Sequence, residues 1–419
     1  MKVLIRHLLP TFGGLALAAV LAATSCPIGY AAPGDGQSTP SAADKSGGSP
    51  FTVGAPRSFG NVAVYPLTAP TKAQVDPGPV VTLEEALRSG AAEVREVGSE
   101  SNGAVGAPPP PAQRHGRHAV ARAAGPTVNT LVIQNKGKAS VFVLAGTVVK
   151  GGNQDREIGQ DFLIEPGKTT PVDAFCVEHG RWTGQRAGQV TGGKFGATDL
   201  IATTKVRAAA QYKKDQSEVW SEVAVANASH KKSADTGTFM ATLDDAQIAR
   251  ERTALAAQIE GALGATTPST DVVGVAYAID GKIRGARLFA HHSLERIHRS
   301  KLAQSIAMEA LTARAEATAP VATLADGSKG GPPPAPRPAP IAGPPPTAAA
   351  VETWMTEASS HETEARDTAA ANENRYSEST RAYASKAVLK PKMVSNPSPG
   401  AAAAPPKPPL VLSTDFVAK

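Results

Sequence analysis

With only two cysteines in the chain, no disulfide framework can hold this protein together. Cys26 lies in the leader region, so Cys176 has no intrachain partner. Aromatic residues are scarce at 5%, so a core must be built from aliphatic side chains. The net charge of +6 is spread between acidic and basic segments. Without a basic stripe, no nucleic-acid partner is expected. Neither GxxxxGK[ST] nor GxGxxG occurs between a strand and a helix, so Gly146, Gly151 and Gly152 do not form a phosphate loop. No second Cys or His pair stands at ligand spacing from Cys176, Glu178 and His179, so no metal site is expected and no cofactor is implied.

What is abundant is glycine and proline, 39 and 35 residues of 419. Much of that lies in Ala/Pro tracts that cannot join a packed core, so the folded part is smaller than the length suggests. Lys2 and Arg6 precede an apolar run from Leu8 to Ala23, which predicts an export signal over residues 1–31 and a secreted or periplasmic location. Ala23-Thr24-Ser25-Cys26 fits a permissive lipobox, making Cys26 the lipidation candidate and the sole route to a membrane. Gly29-Tyr30-Ala31 offers ordinary cleavage instead. Residues 32–50 read as a disordered tether.

The organisation predicted from periodicity is α+β: a mostly antiparallel sheet with several packed helices, interrupted by disordered Pro/Ala-rich insertions. The main domain spans 51–315, with an insertion over 98–126 that carries Pro108 to Pro111 and the Arg114 to His118 tract. Asn61–Leu67 alternates as a strand. Thr82 and Glu85 form a capping box for a short helix ended by Gly90. Ala92–Val97 and Leu131–Ile133 read as strands, the Gly-rich passage after Trp182 as far as Gly196 as loop, and Leu200 to Val223 as helical territory.

A helix from about Asp244 to Leu263 follows. Asp280-Gly281 between Val272–Ile279 and Lys282–Phe289 predicts a hairpin, and Ser293 is expected to cap the next helix. His291, His292 and His298 are read as flanking that helix. Residues 316–350 read as a linker, 351–390 as a helix (Val351–Asn372) and strand completing the domain, 391–408 as disordered, and 409–419 as a terminal strand.

Chemistry concentrates between Val141 and Trp182. Apolar runs there alternate with turn signals and enclose Gln154, Arg156, Cys176, Glu178, Arg181 and Trp182. Two arginine forks suit a carboxylate or phosphate, with Glu178 able to orient one of them. The same residues also suit an Arg–Glu pair that ties strand ends together. Cys176 invites a nucleophile reading with His179 as base, but a lone cysteine beside Val177 is more simply a small buried hydrophobe.

The segments NVAVYPL, TLEEALRSGAAEVREV, LVIQN, VFVLAGTVVKGGNQDRE, PVDAFCVEHGRW, QSEVW, VVGVAYAIDGKIRGARLF and KLAQSIAMEAL follow one another in an order that resembles a domain family of unknown function. That family is named for its association with ADP-ribosylglycohydrolase and rhodanese-phosphatase superfamily genes. The resemblance covers about Phe51 to Ala315 and resumes at Val351. It is carried most specifically by Gln154, Arg156 and the run from Cys176 to Trp182, and departs from the family at Phe175 and His179. It implies a link to ADP-ribose or phosphate metabolism by gene neighbourhood alone.

Three functions stay open on these residues. One is an exported protein binding a small anionic or polar ligand through the Arg/Gln/Glu cluster. Another is a non-catalytic cell-envelope module. The third is a hydrolase or transferase acting on a phosphorylated or ADP-ribosyl compound. Binding predicts an open, solvent-reachable cluster, whereas a scaffold predicts the same side chains fully paired and closed.

Overall fold

Alternation decides the architecture. In the strand Val62–Thr68, Val62 and Val64 point to one core and Ala63, Tyr65 and Leu67 to another, so a single strand is buried on both faces. The computed structural model describes residues 51–97, 129–318, 343–391 and 409–419. The leader with Cys26, the tether, the insertion at 98–126 and most of both Pro/Ala tracts fall outside these residues.

Three layers result. The largest sheet has nine strands, all paired antiparallel, running from Thr52–Val53 through Val62–Thr68, Val272–Ile279, Lys282–Phe289, Val411–Ala418, Ala382–Leu389 and Asn372–Glu378 to Glu362–Arg366. Arg57–Phe59 is added beside the second. Helices Ala246–Gly264 and His292–Thr318 cover one face, where Val275, Tyr277 and Ile279 meet Leu255, Ile259, Leu302 and Ile306. Helix Ala348–Ser359 covers the other, where the small Ala276, Ala278, Ala382 and Ala384 leave room for Trp354 and Met355.

Beside this sheet a six-stranded antiparallel barrel closes in the order Thr169–Cys176, Thr130–Asn135, Ala92–Glu96, Lys194–Ile201, Thr147–Gly151, Arg156–Ile158, the last pairing back to the first. Closure leaves no free edge. A three-stranded sheet, Phe162–Ile164, Ser140–Val143 and Val80–Thr82, supplies the one parallel pairing among the described residues. The fold class is therefore α+β.

Several local expectations hold. The Thr82 hydroxyl accepts the Glu85 amide at 3.2 Å, which is the N-cap half of the expected capping box. Asp280 and Gly281 adopt φ of 50° and 73°, the two-residue turn that matches strand twist.

Others are corrected. The passage after Trp182 is not loop throughout: Gln185–Arg186 pairs with Gln189–Val190, and Lys194–Ile201 is a barrel strand that takes Leu200 out of the helical territory. Its weak alternation hid it. Ser293 sits inside the first turn of its helix, where its amide meets Nδ1 of His291 at 3.2 Å. His298 does not flank that helix but is buried within it, between Phe142 and Phe289. The helix expected over Val351–Asn372 starts at Ala348 and stops at Ser359, because Glu362–Arg366 is drawn into the sheet edge.

Candidate functional site

The turn between strands Thr147–Gly151 and Arg156–Ile158 creates the site. Gly151 has a φ of 141°, and a Cβ there would lie 2.3 Å from the Lys194 carbonyl oxygen. Gly152 has a φ of 46°, and a Cβ there would lie 2.2 Å from the Phe195 ring. Only glycine lets this turn press against the neighbouring strand. The turn thereby buries four consecutive polar residues, Gln154, Asp155, Arg156 and Glu157, none more than 3% exposed.

Arg181 is saturated. Its Nε donates to both carboxylate oxygens of Glu178 at 3.0 Å, its Nη1 to the Gly152 carbonyl at 2.7 Å, and its Nη2 to the Gly151 carbonyl at 2.9 Å. Glu178 in turn accepts the Asp155 amide at 3.0 Å. Asp155, which sequence reasoning passed over, accepts the Gly151 amide at 3.0 Å, the Thr238 hydroxyl at 2.9 Å and Arg186 Nε at 3.1 Å. This half of the cluster locks the turn to the loop 178–186.

Arg156 is different. Its Nη1 donates to Gln154 Oε1 at 3.0 Å, its Nη2 lies 3.8 Å from Glu96 Oε1, and its Nε has no partner. The half-buried Trp182 ring lies over the guanidinium, with 5.9 Å from Cζ to the ring centre. Gln154 is held from behind by the His179 carbonyl at 3.2 Å. A fully buried guanidinium with such sparse pairing is a costly arrangement.

Cys176 is the cross-strand neighbour of Arg156. Burial pushes its thiol above the ordinary range, outweighing the pull of Arg156. That shift favours the neutral thiol, in keeping with a small buried hydrophobe. Gln216 clamps the Cys176 backbone, its Oε1 accepting the amide at 2.9 Å and its Nε2 donating to the carbonyl at 2.8 Å. The six residues singled out in the sequence thus form one contiguous cluster. Five of them, Gln154, Arg156, Cys176, Glu178 and Arg181, are 7% exposed or less, so the cluster is closed rather than an open hollow. Among the described residues no group of three or more His, Cys, Asp or Glu is placed to hold a metal ion.

The matched region of the chain contains all of these residues: a model of the ARG and Rhodanese-Phosphatase-superfamily-associated Protein domain, ARPP-1, fits residues 50–396. The chain belongs to the ARPP-1 family. Comparison with curated proteins and with solved structures found no match.

A second polar cluster of this ARPP-1 domain lies on the other side of the strand Arg156–Ile158. Glu157 is fully buried with both carboxyl oxygens unpartnered, and burial raises its pKa to about 8 against the pull of Arg207. Arg207 Nη1 donates to both oxygens of Asp415 at 2.9 Å, and Arg287 Nη1 to those of Asp161 at 3.0 and 2.8 Å. Burial opposes the charge of Arg207, but Asp415 together with Tyr277, Tyr212 and Glu309 outweighs it and holds the pKa above the ordinary value. A cavity of about 30 Å³, room for one or two waters, lies among Arg207, Arg287, Asp415, Tyr277, Glu309 and Ser305. Sequence reasoning missed this cluster. Its one local signal was the unbroken polar run 154–157 inside an apolar region, since its other members stand far apart in the chain.

Proposed function

We propose that this ARPP-1 domain works outside the cytoplasm as a binder of a small anionic ligand, and that Arg156 is the receptor group. The observation that carries this reading is the inequality of the two arginines. Arg181 has every guanidinium nitrogen occupied and serves as the frame, whereas Arg156 is equally buried but under-coordinated, with an unpartnered Nε, a neutral amide as its hydrogen-bond partner and an aromatic ring as its cover. The cluster is closed at rest, against the open arrangement expected of a binding site, so an anion reaches Arg156 only by displacing the half-buried Trp182 ring; it then supplies the missing acceptor, and Gln154 orients the fork. The family's association with ADP-ribosylglycohydrolase and rhodanese-phosphatase genes makes ADP-ribose and phosphate esters the first compounds to try. The leader sequence supports the location.

A second reading, a non-catalytic envelope scaffold, draws on the closure of the cluster. A thermal-shift screen of the mature domain against phosphate, sugar phosphates, nucleotides and ADP-ribose separates the two. Ligand-dependent stabilisation in the parent, about 2.7 kcal/mol at a hundredfold excess over Kd, should vanish in Arg156→Met. No stabilisation of the parent by any of these anions leaves the scaffold.

A further inference from the structure

The strand Val411–Ala418 lies beyond the family-matched residues 50–396, yet it occupies the middle of the nine-stranded sheet. Both of its edges are paired, Ser413–Val417 with Gly285–Phe289 and Val411–Ala418 with Ala382–Val388. Without it the sheet would fall into two halves with two new edges, each a template for strand addition. Phe416 packs 6.1 Å from Trp354 on one side. On the other, Asp415 takes both oxygens to Arg207 and lies 3.3 Å from Arg287, and the Ser413 hydroxyl donates to Asp161 at 2.5 Å. All three charged partners are at least nine-tenths buried.

The slot is therefore specific in chemistry as well as in backbone pairing. It fits an extended segment with an apolar residue at the place of Leu412, a hydroxyl at Ser413, a carboxylate at Asp415 and an aromatic at Phe416. The Leu389 amide donates to the Leu410 carbonyl at 2.8 Å, so the two ends meet although an Ala- and Pro-rich stretch of sequence separates them.

We propose that this slot is a strand-acceptor groove, and that the terminal strand of a second copy of the chain can replace the chain's own. The contacts are the same whichever copy supplies the strand. Only the tether favours the chain's own tail, by an effective concentration on the order of mM. Intrachain pairing prevails in dilute solution and exchange between copies sets in as that concentration is approached.

The test uses the full chain with a protease site placed within residues 397–403, folded first and then cut. A labelled peptide of residues 409–419 stands for the second copy's tail. The cut protein is expected to keep its original tail on gel filtration and to take up the labelled peptide, measured by fluorescence anisotropy. The Asp415→Asn peptide should bind at least about tenfold more weakly, the loss of one charged partner to buried arginines. In parallel, the uncut chain incubated near mM concentration should yield a dimer on chromatography that persists on prompt dilution. Failure of the cut protein to take up peptide overturns the groove, whether the tail never leaves or the body collapses without rescue by excess peptide. Equal binding of the two peptides overturns the carboxylate reading, and absence of the dimer overturns exchange between copies.

Discussion

Glu157 is expected to make this protein lose stability as the pH rises towards 8. Its carboxyl titrates at about 8 in the fold against an ordinary 4.5, since burial disfavours the charge more than Arg207 favours it. An acid raised in this way keeps its proton in the native state while the unfolded chain has already lost it. The Glu157 contribution to stability is therefore fully present below pH 4.5 and falls by about 1.4 kcal/mol per pH unit up to about 8.

His298 acts oppositely. Buried between two phenylalanines with neither ring nitrogen bonded, it titrates at about 3 against an ordinary 6.5. It therefore costs stability as pH falls below 6.5. Between pH 4.5 and 6.5 the two slopes cancel, and between 6.5 and 8 Glu157 acts alone of the pair. The parent should lose about 2 kcal/mol across that upper window. Glu157→Gln, which has no proton to lose, should lose almost none. Urea unfolding at pH 6.5 and at pH 8 measures both, and the slope matters rather than the absolute stability of the variant. A parent equally stable at the two values, or a variant with the parent's slope, would refute the reasoning.

Arg181→Met should cost about 3–5 kcal/mol, because it strands the buried Glu178 carboxylate and the Gly151 and Gly152 carbonyls. Arg156→Met should cost far less or stabilise the unliganded protein, since it removes a buried charge that is poorly paired. Equal losses in urea unfolding would erase the distinction between frame and receptor. Gln216→Ala removes both side-chain bonds to the Cys176 backbone and should cost about 1–3 kcal/mol. Hydrogen exchange at the Cys176 amide should accelerate in that variant, and unchanged protection there would show that Gln216 is not the clamp.

What the sequence determined by itself is local. The Asp280-Gly281 turn, the Thr82 cap and the alternation of Val62–Thr68 can be read because each rule acts over a few residues of chain. The candidate cluster was legible for a related reason: Gln154 and Arg156 share one turn, and Cys176, Glu178, Arg181 and Trp182 share one loop, so two short segments had only to meet. Tertiary structure decided the rest. Lys194–Ile201 is a strand because the barrel needs it to close, and Glu362–Arg366 is not helix because a sheet edge offers it a ladder.

Above all, the fold alone made Arg181 a frame, left Arg156 under-coordinated, and paired Arg207 with an aspartate 208 residues away. Burial and the sharing of hydrogen-bond partners are properties of what surrounds a side chain, and the surroundings of these residues are assembled from segments that only folding brings into contact.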